Sequence, residues 1–285
     1  MAEVNTSAGR HGGPKVPRLV LSRLSAGSPQ TGLMEAFTKS RQDAPVGFFE
    51  AEAAGLDWLT AAHGARTVAV IDVAPGRIRL EWVPEVPPTR TAARAFGSAL
   101  ARTHAAGARS FGAPPDGWVG PLFIGRRPMA SAEDATWGGF YARDRVLPFV
   151  ALAEEAGTID DAEARDIRRA CERIAAGDFD DDEPPARIHG DLWAGNVLWS
   201  HDGVVLIDPA AHGGHRETDL AMLHLFGCPY LDDVIEGYRS DGDLATDYER
   251  RIPLHQLHPL AVHAAGHGRH YGRALHDAAL VVLEL

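Results

Sequence analysis

Lysine is almost missing from this chain. Of its 28 basic side chains only Lys15 and Lys39 are lysines; the rest are arginines. A general replacement of lysine by arginine accounts for the scarcity but not for the exception. Lys39, the single lysine beyond residue 15, marks a position that calls for a compact ammonium rather than a planar fork. Cysteine is nearly as scarce: Cys171 and Cys228 supply neither a disulfide framework nor a metal-ligand set, and a reducing cytoplasm is the expected location. No run approaches the ~20 apolar residues of a membrane span. Residues 1–17 lack the apolar core of a signal peptide and read as a flexible tail rich in Gly, Ser and Pro. The net charge of −11 argues against nucleic acid as a partner, which would require a basic surface. What remains is a chain of 285 residues, 45% of them hydrophobic, enough to bury a sizeable core in two lobes around a cleft.

The hydrophobic pattern changes character along the chain. Leu19–Ser40 reads as two extended segments around the small-residue turn Ser25-Ala26-Gly27-Ser28. Pro45–Ala62 is helical, with Phe49, Ala53, Leu56 and Leu59 at intervals of three and four and Gly64 as its stop. Thr67–Val83 is a hairpin about Pro75-Gly76. The proline-rich break at Pro84–Thr89 divides an N-terminal lobe (18–86) from a C-terminal one (87–285). Beyond the break, helical patterns dominate. One carries Ala93, Phe96, Leu100 and Thr103 on a single face; another opens with Asp160 and Glu163 in capping-box spacing and buries Ile167, Cys171 and Ile174. "DFDDDEPPA" is expected to be a solvated linker. Embedded among the helices, "NVLWS" and "VVLID" flank His201-Asp202-Gly203, a strong hairpin signal. The outline is α+β without regular βαβ alternation, which disfavours a doubly wound sheet.

That hairpin carries the chemistry. Asp191 precedes its first strand, Asn196 follows five residues later, and Asp208 closes the second strand. A two-stranded hairpin returns the chain, so Asn196 and Asp208 are brought together with Asp191 beside them. Two oxygen donors suit a hard cation such as Mg²⁺, and the third carboxylate is left to take a proton from a hydroxyl. An acid, an amide five residues on, and an acid after the next strand form the phosphoryl-transfer pattern. The N-terminal half supplies the matching nucleotide lobe. Lys39 ends a strand, and Glu52 sits on the next helix to hold it, with Glu50 as the competitor. Gly27 and Ser28 would lie over the phosphates of ATP. Glu81 and Val83, just before the proline break, would offer backbone to adenine.

"HGDLWAGN" (His189–Asn196), "FFEAEAAGLDWL" around Glu52, "WGGFYARDRVLPF" from Trp137, "DPAAHGGHRETDLAML" from Asp208 and "HQLHPLAVHAAGHG" from His255 together resemble the fructosamine (ketosamine) kinase family. That family lies within the larger group of aminoglycoside phosphotransferases and protein kinases, and the likeness runs from about residue 18 to the end. It implies a two-lobe protein-kinase-like fold and ATP- and Mg²⁺-dependent phosphorylation of the sugar O3 of a ketosamine, whether a small molecule or a glycated protein, with deglycation as the outcome. Around this site Trp193, His215, Arg216, Trp137 and Arg145 are candidates for contact with the substrate. Asp219 is expected to orient the loop of Asp191 by accepting backbone N–H bonds. Two segments depart from the family: "SAGSPQ" replaces paired glycines, and "RRPMAS" lacks a Pro-x-x-Asn.

Other readings are weaker. Aminoglycoside phosphotransferases share His-Gly-Asp and the Asn but match less well at Trp193. A metallophosphoesterase needs an upstream Asp-x-His that "IDVAP" does not provide. His255-x-x-His258 and His267-x-x-His270 have helical spacing usable by zinc, yet no H-E-x-x-H accompanies them. A non-catalytic nucleotide-binding relative would be expected to lack Lys39, Asp191, Asn196 or Asp208, and all four are present.

Overall fold

The computed structural model describes residues 20–24 and 36–285; Gly27 and Ser28 lie outside them. Strand β1 (Val20–Leu24) pairs antiparallel with β2 (Ala36–Ser40), placing Leu21 opposite Lys39. Helix α1 (Phe48–Thr60) follows, then β3 (Arg66–Thr67), β4 (Val70–Ala74) and β5 (Arg77–Glu81). The sheet order is β1-β2-β5-β4. Along β5, Ile78 and Leu80 face inward while Arg77 and Arg79 alternate toward solvent. Phe49, Ala53 and Leu56 of α1 pack onto that inner face with Val68 and Val83. Burying each large apolar side chain here contributes about 1.5–3 kcal/mol. Gly64 does not stop α1, which already ends at Thr60. Its backbone instead touches the next helix, where a Cβ would come within 2.6 Å of Ala99 O.

Residues 84–89 lead into α2 (Arg90–Ala105), whose N-cap Thr89 accepts from Ala92 N at 3.2 Å. A short hairpin not foreseen from the sequence, β6 (Leu122–Ile124) and β7 (Arg127–Met129), folds back onto α1 through Phe123 and Phe48, ring centroids 5.2 Å apart. Helix α3 (Trp137–Phe140) runs through a π-helical segment, Tyr141–Val146, into α4 (Leu147–Glu155). Pro148, which has no N–H to donate, stands where the wider turn gives way to α4. Helix α5 (Asp161–Ala175) carries the expected capping box. Next come β8 (Ala186–Ile188), the hairpin β9 (Val197–Ser200) and β10 (Gly203–Leu206), and β11 (His212–Gly214). The chain closes with α6 (Arg216–Phe226), α7 (Leu231–Asp241), α8 (Tyr248–His267) and α9 (Arg269–Glu284).

Two pairings tie the parts together. β3 runs parallel to β10, Val205 beside Arg66, and Val205 enters the core under α1. β8 and β11 pair antiparallel, Ile188 opposite His212, which fixes both ends of the segment between them. Inside α8, Pro259 cannot donate to His255 O. Tyr141 Oη fills the vacancy at 2.9 Å and accepts from His258 N at 3.0 Å. No helix among the described residues is long and apolar enough to cross a membrane.

The acidic segment is an exposed linker, as expected, but it also carries specific ties. Asp180 accepts from Gly138 N at 2.7 Å, Asp181 meets Arg251 at 2.6 Å and His215 at 3.3 Å, and Glu183 pairs with Arg216 at 2.8 Å. The sequence pattern hid this because the partners lie far away in the chain.

Four imidazoles, His212, His215, His255 and His258, are at most 3% exposed. Burial is the main cause that holds them neutral, His215 down to about 4, His258 to about 3, and the other two well below the ordinary value. Their native values lie below the unfolded value of ~6.5. Their contribution is therefore complete above that pH and is lost as pH falls through it, because only the unfolded chain takes up the protons. Denaturant titrations from about pH 7.5 to about pH 5.5 should show a net fall in stability, each of these imidazoles contributing a loss of ~1.4 kcal/mol, partly offset by Asp191, whose raised carboxyl takes up a proton in the native protein over the same interval. A flat profile over that interval would show that these rings are protonated in the native protein.

Candidate active site

The segment between β8 and the β9–β10 hairpin is held by one buried carboxylate. Asp219, in the first turn of α6, accepts from His189 N at 2.7 Å and Gly190 N at 2.9 Å. It also receives His104 Nε2 at 3.1 Å from α2, and the other ring nitrogen of His104 faces Tyr238 Oη at 2.8 Å. Burial alone would raise the Asp219 carboxyl. The His104 hydrogen bond, nearby imidazoles and backbone donors outweigh it and hold the group below its usual range. Gly190 has φ 78°, and a Cβ there would lie 2.3 Å from Ala210 O, so the loop requires glycine. His189 reaches Ile207 O at 3.0 Å and accepts Asp191 N at 3.2 Å, fastening the loop to the exit of β10.

These ties bring the acids together. Asn196 ends a 3₁₀ turn rather than opening β9. Its Nδ2 donates to Asp191 O at 2.8 Å and lies 3.3 Å from Asp191 Oδ2, leaving its carbonyl oxygen as an acceptor. Ile207 N donates to Asn196 O at 3.2 Å, closing the open end of the hairpin. Asp208, two residues beyond β10, takes φ 55°, a left-handed conformation that Asp tolerates better than most residues. Lys39 reaches across from β2. The residue is 5% exposed, and its ammonium lies 2.7 Å from Glu52 Oε1 and in close ionic contact with Asp208 Oδ1. Glu52, not Glu50, thus faces the lysine. Burial is the main force pushing the Asp191 carboxyl up to about 7, with Asn196 pulling the other way.

Lys39, Glu52, Asp191, Trp193, Asn196 and Asp208 line one cavity of about 280 Å³. Trp193 is 41% exposed and stands edge-on to Phe226 at 6.3 Å. The other four candidates for substrate contact do not line it. Trp137 is buried against Tyr141 and His255, each 4.7 Å away. His215 caps α6 and faces Asp181, and Arg216 pairs with Glu183. Arg145, 1% exposed, donates to Ala130 O at 2.8 Å and to His212 Nε2 at 3.2 Å. These residues adjoin motif residues in sequence, but their side chains turn into the C-terminal core. Glu81 accepts from Ala69 N at 3.1 Å and Val83 is buried; neither side chain lines the cavity. Sequence reasoning missed His104. Its only signal was the burial face of α2.

The histidine spacings considered for zinc do not assemble such a site. His258 bonds Arg145 O at 2.7 Å, away from His255. Among the described residues the one His and acid group close enough to hold an ion is His215, Glu217 and His255. There the Arg251 guanidinium lies 3.0 Å from Glu217 Oε2, and His215 Nδ1 accepts Glu217 N. The guanidinium charge beside Glu217 opposes a metal ion at this position.

The family description "Fructosamine kinase" matches residues 25–283. The chain belongs to the fructosamine kinase family. A solved Thermobifida fusca protein, assigned as a fructosamine-3-kinase, is 42% identical, with a TM-score of 0.84 over 94% of this chain and 95% of that one. An Enterococcus faecium protein assigned as a ketoamine kinase is 30% identical over 83% of each chain. The aminoglycoside phosphotransferase APH(4)-Ia, 16% identical, shares the fold at a TM-score of 0.52 over 91% of this chain and 93% of its own. The two-lobe, protein-kinase-like α+β fold is therefore that of the fructosamine kinases, and it implies the use of ATP.

Within this family member the Asp219 node is open to a direct test. Asp219→Ala strands two buried backbone N–H groups and the His104 ring. Denaturant titration should read a loss of about 3–5 kcal/mol; a loss below about 1 kcal/mol would show that the loop does not depend on it.

Proposed function

We propose that the protein transfers the γ-phosphoryl group of ATP to the sugar O3 of a ketosamine. The observation that carries this reading is the single cavity in which Lys39, paired with Glu52, faces Asp208, Asn196 and Asp191, with exposed Trp193 at its wall. The names of the relatives, fructosamine-3-kinase and ketoamine kinase, supply the acceptor.

Lys39 would hold the α/β-phosphates while Glu52 fixes its ammonium. Glu81, the last residue of β5, and Val83, just beyond it, would present backbone to adenine, and Gly27 and Ser28 would cover the phosphates. Asp208 and the free carbonyl oxygen of Asn196 are hard oxygen donors that suit Mg²⁺. The ion, held there, would supply neutralisation of the phosphate charge. The acceptor hydroxyl attacks the γ-phosphorus; the new O–P bond forms as the bond to the β,γ-bridging oxygen breaks, and ADP leaves. Asp191 takes the hydroxyl proton. Its burial, which lifts the carboxyl toward neutrality, favours a group that both orients and accepts. Trp193 offers an aromatic face to the C–H surface of the sugar.

The test is ATP consumption across fructosamines, shorter ketosamines, aminoglycosides and amino alcohols. Ketosamines should be consumed and kanamycin-like aminoglycosides should show no comparable rate. Asp191→Asn should lower kcat by roughly 10²–10⁴ with ATP affinity little changed, and Asp208→Asn should nearly abolish transfer. Trp193→Ala should raise KM for the ketosamine, because it removes contact made in ground and transition states alike. A faster rate on an aminoglycoside would keep the kinase and remove the ketosamine. Full activity of Asp208→Asn at every Mg²⁺ concentration would remove the metal role.

A further inference from the structure

Two further cationic side chains stand on the wall of the same cavity. Arg41 and Arg126 line it together with Lys39, Trp193 and Asp191. Arg41, just past β2, has a side chain 11% exposed. Its Nε donates to Asp43 Oδ1 at 3.0 Å, and its guanidinium carbon stands 5.2 Å from the centre of the Phe48 ring. Its Nη1 is buried, and among the described residues it has no hydrogen-bond partner. A buried cationic N–H left without an acceptor is costly, and an arginine held in one place by an ion pair and a ring face keeps a donor to offer an anion.

Arg126 arrives independently, from the turn of the β6–β7 hairpin, which packs on α1 through Phe123 and Phe48. The two arginines share a neighbour. The hydrogen bond and charge of Arg41, with Arg126 as a further contribution, hold the exposed Asp43 carboxyl below its usual range. Lys39 is already committed to Glu52 and Asp208. Arg41, itself paired with Asp43, and Arg126 add two guanidinium groups to the cavity wall beside it.

Resting on the ketosamine reading, we propose that this wall selects acceptors bearing a carboxylate, namely sugar adducts of free amino acids, by pairing the carboxylate with Arg41 and Arg126. A guanidinium fork matches a carboxylate in two parallel hydrogen bonds and gains nothing comparable from a neutral amide of the same shape.

The matched probes are fructosylglycine and fructosylglycinamide, which differ in that charge. Each is titrated calorimetrically into the protein loaded with Mg²⁺ and a non-hydrolysable ATP analogue, so that the γ-phosphate position is filled, and each is also assayed for turnover. Wild type should bind the acid roughly tenfold tighter than the amide or better. That ratio should collapse toward one in Arg41→Gln, fall in Arg126→Gln, and be partly restored in Arg41→Lys. Equal binding of acid and amide by wild type overturns the inference. So does an Arg41→Gln protein that binds the nucleotide analogue more weakly while keeping the ratio, since the guanidinium would then serve the γ-phosphate. Turnover of both probes without preference leaves the ketosamine kinase standing and removes only the carboxylate selection. Arg41-dependent preference in binding without any turnover does the reverse.

Discussion

One ammonium group organises this protein's cleft. Lys39 lies between Glu52 on α1 and Asp208 beyond β10, nearly out of reach of water. A buried charge of this kind persists only where partners compensate its desolvation. Its pairing thus ties the sheet, the helix packed on that sheet and the β9–β10 hairpin into one arrangement. Arginine, used almost everywhere else in the chain, would place a wider, planar fork between two carboxylates that converge on a point. The scarcity of lysine and the geometry of the cleft have the same explanation at this position.

A second buried charge does the corresponding work in the C-terminal part. Asp219 gathers two consecutive backbone donors and an imidazole from α2, and the β8–β11 pair anchors the chain on either side. Asp191 can then stand partly buried next to Asn196 without its loop collapsing. Both devices are electrostatic and preorganised. That suits phosphoryl transfer, in which the protein does little covalent work and catalysis rests on placement and charge.

The site was legible where chemistry and local structure coincide. Asp202-Gly203 announced the turn, and a turn of that kind forces Asn196 and Asp208 together whatever surrounds them. The helical period of α1 put Glu52 within reach of Lys39 but could not by itself exclude Glu50; the packing of α1 on the sheet through Phe49, Ala53 and Leu56 turns Glu52 to the lysine. Illegible features depended on distant partners. His215 and Arg216 follow Asp208 by only seven and eight residues, yet Asp181 and Glu183, over thirty residues earlier, draw both away from the cavity. The three-residue strands β6, β7, β8 and β11 have too little pattern to be read alone, and Pro128 in β7 argues against a strand at all. His104 lies 115 residues from the carboxylate it serves, and only tertiary packing connects them.

The central claim is that the Lys39–Glu52–Asp208 cluster is a nucleotide–metal site and not a structural ion pair. Structure determination with Mg²⁺ and a non-hydrolysable ATP analogue tests it most directly. Asp208 should part from Lys39 and bind the ion at about 2.0–2.1 Å, with the Asn196 carbonyl oxygen turned to the same ion and Lys39 still held by Glu52 against the phosphates. A nucleotide bound outside this cavity, or a Lys39–Asp208 contact that persists with the analogue in place, would contradict the account.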